Sequence, residues 1–235
     1  MNFCLCLPLL GPLPVSAPLH LDGLIHALMV REGLTSPDRV NLPLDEERGV
    51  YRASAAFFLE RAVPVTERHT VTGILGWNAF DEFVELANDP KKASRMKNLK
   101  PGGNELRVSS VVQAEAVVFY GSGDAEWIGE FLRENLEGLG KNRLCPVDRE
   151  KISLFPMRED RSWVVDGEPA RAIPLDLWKT VDGAGEDPCR AMVSFRPPYW
   201  KTEKRLCAVS PGRGRILSSL ELLGQEWNSG KQNAL

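Results

Sequence analysis

The sequence has no apolar run fit to cross a bilayer. Its apolar stretch from Met1 to Val30 lacks a basic leader and is broken by Pro8, Pro12, Pro14 and Pro18, which fits neither a signal peptide nor a membrane span. A cytoplasmic protein with no membrane partner is the expectation. Paired C-x-x-C spacing is missing too: Cys4, Cys6, Cys145, Cys189 and Cys207 make an odd set, which disfavours a disulfide framework and a zinc module. Reduced thiols and no metal site follow. Net charge is small, at −3 from 29 basic and 32 acidic residues, so the chain as a whole offers no electrostatic attraction for nucleic acid and any such site must arise from local clustering.

Nucleotide signatures are incomplete. Gly121-x-Gly123 resembles a dinucleotide turn, but Glu126 stands at the third glycine position, where a carboxylate would oppose the pyrophosphate. Gly138-Leu139-Gly140-Lys141-Asn142 has the wrong spacing for a phosphate loop, and Asn142 replaces the hydroxyl that would hold magnesium. No cofactor is expected. Histidine is scarce: His20, His26 and His69 could supply acid–base chemistry, but their spacing outlines no triad. No cysteine occupies a recognisable nucleophile setting.

What is present reads as an α+β protein. With 235 residues, 43% of them apolar, the chain can bury one substantial core with a small subdomain. Phe3–Leu7 suits a buried strand, and Leu21, Leu24, Ile25 and Leu28 recur at helical spacing up to a stop at Gly33. Val50–Thr72, divided by Pro64, reads as one long interrupted strand or two paired ones; Ala79–Ala87 suits a short helix; Val108–Tyr120 reads as one strand. Asp124 can cap a helix whose apolar face carries Trp127, Ile128, Phe131, Leu132 and Leu136. Lys151–Phe155 supplies a further strand, so that strand-helix-strand occurs twice and helices on one sheet face are favoured. The expected domains are 1–156, with an excursion near 88–105, then a smaller β-rich part at 157–224 and a polar tail at 225–235. Short strands are expected in the β-rich part at Trp163–Val165, Ala191–Phe195 and Arg205–Val209.

Three clusters could bind RNA. Lys91, Lys92, Arg95, Lys97, Lys100 and Arg107 are opposed only by Glu105, a local charge of +5 suited to phosphates. Its bland reading is a solvated loop. Lys141, Asn142 and Arg143 follow the second helix. Arg196-Pro-Pro-Tyr199-Trp200-Lys201, with Lys204 and Arg205, interleaves cations with rings that either stack on unpaired bases or pack in the core.

Leu19-His20-Leu21-Asp22-Gly23-Leu24-Ile25 resembles a segment of the CRISPR repeat-associated RAMP superfamily. Gly121–Asp124, the helix after it and Leu136–Arg143 resemble the strand, helix and glycine-rich loop of that family, although Leu144, Cys145 and Pro146 depart from its dense glycine pattern. Arg196–Trp200 points to the Cas-five-type subunit of type IV effectors. The resemblance spans about residues 1–207. It implies a ferredoxin-like, RNA-recognition-motif-like domain with a thumb-like insertion and a small C-terminal β-rich appendage. It further implies a non-catalytic subunit that holds the 5′ handle of the guide RNA (crRNA) and caps a filament of repeated backbone subunits. A large subunit, a helicase and, through the complex, target DNA would be further partners. The rival expectation is a RAMP-type metal-independent endoribonuclease that processes the guide precursor.

Overall fold

The computed structural model describes residues 1–14, 18–59, 63–72, 104–140, 145–210 and 215–217, with the segments at 63–72, 104–111 and 215–217 described by their backbone. The chain divides into two compact units, one of Met1–Pro64 with Val111–Leu235 and one of Val65–Ser110. The expected helix at Ala79–Ala87 and the excursion at 88–103 lie outside the described residues.

Short apolar runs make the central strands, and the order along the chain is β1 (Asn2–Pro8), α1 (Leu21–Arg31), β2 (Phe57–Leu59), β3 (Val63–Thr72), β4 (Asn104–Gln113), β5 (Ala116–Ser122), α2 (Ala125–Asn135) and β6 (Ser153–Pro156). The central sheet runs β6-β1-β5-β2, with Arg215–Leu217 added beyond β2. Every pair among the first four is antiparallel, and Arg215–Leu217 lies parallel to β2. The architecture is α+β. Asp124 caps α2 as its residue type requires, its Oδ1 accepting from the Trp127 N–H at 3.1 Å.

Val108–Tyr120 is not one strand. It is divided at Ala114-Glu115 into β4 and β5, and β4 lies in a different sheet, between Leu13–Pro14 and β3. Val50–Thr72 is likewise divided: Val50–Tyr51 pairs with Glu46–Glu47 in a hairpin, while β2 and β3 belong to separate sheets. Arg48 and Gly49 at the hairpin tip both have positive φ, 50° and 80°, which matches the twist a two-residue hairpin turn needs.

Side-chain alternation sorts the central sheet into two packed faces. Phe3, Leu5, Leu7, Phe58, Val117 and Phe119 meet Leu21, Ile25, Ile128 and Leu132 of the two helices. Cys4, Phe57, Val118 and Tyr120 face the other way and are buried with Val165 and Ala170. Residues beyond Pro156 therefore cover the face the helices leave open.

That C-terminal part has its own small sheet, β7 (Ile173–Pro174), then α3 (Leu175–Trp178), β8 (Arg190–Val193) and β9 (Arg205–Ala208), in the order β7-β9-β8. Trp163, Ile173, Leu177, Trp178, Phe195 and Cys207 form its core, which also takes in Val50 of the hairpin.

Candidate nucleic-acid interface

The His20-Leu21-Asp22-Gly23 segment is read by its contacts as an anchor. Leu21 enters the main core, and Asp22 in the first turn of α1 is fully buried. A buried carboxylate demands partners. Its Oδ1 accepts from the Gly23 N–H (2.8 Å) and the Tyr199 hydroxyl (2.7 Å), and its Oδ2 accepts from Arg171 Nη2 at 2.8 Å. Arg171 is equally buried. Its Nη1 donates to the carbonyls of Tyr51 (2.7 Å) and Ala53 (2.8 Å), and its Nη2 also donates to the Phe195 carbonyl (2.5 Å) and the Tyr199 hydroxyl (3.1 Å). One guanidinium thus joins α1, the strand leading to β2 and the loop after β8.

Gly23 makes room for this arrangement, since a Cβ there would stand 3.0 Å from Tyr199 Cε2. His20 stacks on the Tyr199 ring, centroids 4.9 Å apart at 14°. Burial, then the Asp22 charge, pushes the Tyr199 hydroxyl well above its ordinary range, so it remains a donor. Burial, then the Arg171 charge, lowers His20 to about 4. The imidazole is neutral at physiological pH.

Tyr199 is thereby held inward and Trp200 is turned out, 71% exposed. Trp200 is not a core residue. The turn that presents it is braced by its own hydrogen bonds: the Lys201 N–H donates to the Pro198 carbonyl at 2.9 Å and the Thr202 hydroxyl to the carbonyls of Pro198 and Arg196 at 2.8 and 2.9 Å. Arg196, Lys201, Lys204 and Arg205 around it are exposed. Lys201 is paired with Asp38. Arg205 reaches within 5.7 Å of the Phe195 ring. An exposed indole on a braced turn, with cations near it in the sequence, can stack an unpaired base and hold its phosphates.

Beside this turn lies a groove of about 500 Å³. Pro197, Pro198, Arg196 and Lys201 line one part of it, and Glu46, Gly49 and Tyr51 of the hairpin another. In contrast, the central sheet offers no open stacking platform, because Cys4, Phe57, Val118 and Tyr120 are buried.

The other expected RNA contacts are distributed differently. Lys91, Lys92, Arg95, Lys97, Lys100, Lys141, Asn142 and Arg143 lie outside the described residues. Arg107 falls on β4, described by its backbone. The loop holding Lys141–Arg143 is bounded by a two-residue antiparallel ladder, Gly138–Leu139 against Cys145–Pro146. His26 is buried, its Nε2 without a partner among the described residues. His69 falls on β3. Among the described residues no group of three or more His, Cys, Asp or Glu could hold a metal ion, and no helix is long and apolar enough to cross a membrane.

The sequence alone does not single out Arg171 or the groove residues Glu46 and Asp38, and it presents Asp22 only within the Leu19–Ile25 segment. The Asp22-Gly23 pair inside an apolar helix start was the available signal, since a carboxylate on a buried face requires a cation. No protein-family model matches the chain, and no curated protein matches it.

Proposed function

We propose that the chain is a non-catalytic guide-RNA-binding subunit of a type IV CRISPR effector, a cytoplasmic protein that holds the 5′ handle of the crRNA and caps the filament of backbone subunits. The observation that carries this reading is Trp200, exposed on a braced cationic turn that buried Arg171 ties to the start of α1. The sheet order β6-β1-β5-β2, with a helix after β1 and another after β5, supports a ferredoxin-like unit and with it the same reading. So does a separate unit at Val65–Ser110, between β2 and β5 in the chain, which spans the segment near 88–105 where a thumb is expected. Sequence choice would then rest on pairing between guide and target.

Cleavage chemistry finds little support near Trp200. His20 is neutral and its ring is covered by Tyr199, while His26 is buried. Metal-free incubation of the purified chain with repeat RNA should give binding and no cut. A single site-specific cut that disappears on His69→Ala would establish the endoribonuclease instead.

Trp200→Ala should weaken handle RNA by roughly 1–3 kcal/mol while leaving the salt dependence of binding unchanged, because a stacked base releases no counterion. The melting temperature should hold, as an exposed side chain contributes within about 0.5 kcal/mol to stability. Paired salt titrations and thermal melts check this. Unchanged affinity would remove the stacking role.

A further inference from the structure

We propose that the groove beside Trp200 is a guanine-selective nucleotide subsite, in which Glu46 accepts from N1–H and N2–H of the base and Arg196 donates to O6 and N7. This rests on the RNA-binding reading of the Trp200 turn and gives that site a base preference.

The groove is of nucleotide size, about 500 Å³, within the range of small-ligand sites. Its charged lining is balanced, Asp38 and Glu46 against Arg196 and Lys201. A balanced groove has no excess attraction for a phosphate. It does offer both donors and acceptors, as a base edge requires. Lys201 is engaged with Asp38, so these two neutralise one another. Glu46 and Arg196 then remain as the acceptor and the donor. Arg196 has no carboxylate partner among the described residues, and its guanidinium packs on the hairpin tip, 3.1 Å from where a Gly49 Cβ would stand. Glu46 is on that same hairpin, directly opposite Tyr51.

Tyr51 fixes the wall. Its hydroxyl donates to the Val40 carbonyl at 3.2 Å and is also within hydrogen-bonding reach of the Glu46 carboxylate, whose remaining lone pairs face a ligand's donors. Pro197 and Pro198 supply apolar surface for the base faces. Guanine alone among the RNA bases pairs two adjacent donors for a carboxylate with an O6/N7 acceptor pair for a guanidinium. Adenine offers an acceptor at N1, which a carboxylate repels. The groove also continues from the stacking residue, since Pro198 and Lys201 belong to the turn that carries Trp200. A strand whose base covers Trp200 thus delivers its neighbour to the groove, and Lys204 and Arg205 remain for phosphates.

The test uses uridine oligomers carrying one guanosine, one inosine or one adenosine, with guanosine and adenosine monophosphates as minimal probes. Binding is read by fluorescence anisotropy and by Trp emission. Guanosine should bind about tenfold tighter than adenosine, with inosine between them because it lacks the N2 amine. Glu46→Gln should reduce the guanosine preference to less than twofold, and Arg196→Gln should do the same. Glu46 and Arg196 are both exposed, so each variant should fold. Equal affinity for guanosine and adenosine in the native chain, or a preference that survives Glu46→Gln, overturns the inference. Tight handle binding with no guanosine preference overturns the subsite alone. A Glu46-dependent preference without handle recognition upholds the subsite and overturns the guide-RNA reading.

Discussion

Arg171→Met should cost the first unit about 3–5 kcal/mol of stability, the range for removing one partner of a buried ion pair. At this chain length that lowers the melting temperature by roughly 6–20 °C. The loss has two sources. Asp22 would remain buried with its charge opposed only by the Tyr199 hydroxyl and the Gly23 N–H. The carbonyls of Tyr51, Ala53 and Phe195 would lose their guanidinium donor, at about 1–3 kcal/mol for each group left buried and unpaired. Asp22→Leu combined with Arg171→Met relieves the first source and not the second, so the double variant should recover part of the loss. Because Arg171 also holds the Trp200 turn through the Phe195 carbonyl and Tyr199, the folded fraction of Arg171→Met should bind RNA more weakly than the native chain. A melting temperature within about 2 °C of native would show that water satisfies these groups and that the anchor contributes little.

The local elements were legible because their causes are local. Helical spacing at Leu21, Ile25 and Leu28 and the Asp124 carboxylate before Trp127 define α1 and α2 without reference to the rest of the chain. Sheet membership was not legible. Val108–Tyr120 is uniformly strand-like, yet β4 and β5 part at Ala114-Glu115 because they pair with different partners. A signal for the covered sheet was present: Ala116–Tyr120 is continuously apolar rather than alternating, as expected of a strand buried on both faces. It argues against bases stacked on that sheet.

The site divides in the same manner. Cations and rings at Arg196–Arg205 could be read directly, but Tyr199 and Trp200 are neighbours in an irregular turn, where no period assigns one inward and the other outward. Their opposite fates follow from Asp22, 177 residues from Tyr199, which draws the Tyr199 hydroxyl inward. Arg171 is a single basic residue among alanines in the sequence, and its importance comes from partners as far as 149 residues away. Pairing at that separation leaves no local pattern. The His20–Gly23 segment was legible as a resemblance, and its physical content, a stacked ring, a buried acceptor and a gap for Tyr199, emerges from the contacts.

Acidification should destabilise the protein through His20. In the unfolded chain this imidazole titrates near its ordinary 6.5, whereas in the folded chain burial and then the Arg171 charge hold it at about 4. Between these values the unfolded chain binds the extra proton, so stability must rise with pH across the window. The contribution is complete above pH 6.5, declines as pH falls and is exhausted below about 4. A displacement of this size corresponds to at most about 3 kcal/mol, since part of the His20 side chain still meets solvent. Carboxylates titrating at the acid end of the window add their own slope, which a glutamine comparison removes because His20→Gln keeps a polar group and cannot charge. The stability difference between the native chain and His20→Gln, from denaturant melts at pH 7.5 and pH 4.5, should shift against the native chain by about 2–3 kcal/mol on acidification. Repeating the pair in an Arg171→Met background separates the causes. With the guanidinium gone, a repulsion that disfavours the imidazolium is lost, His20 should titrate closer to 6.5, and the pH dependence should shrink. A pH dependence identical with and without Arg171 would assign the whole displacement to burial, and one unchanged by His20→Gln would remove His20 from the account.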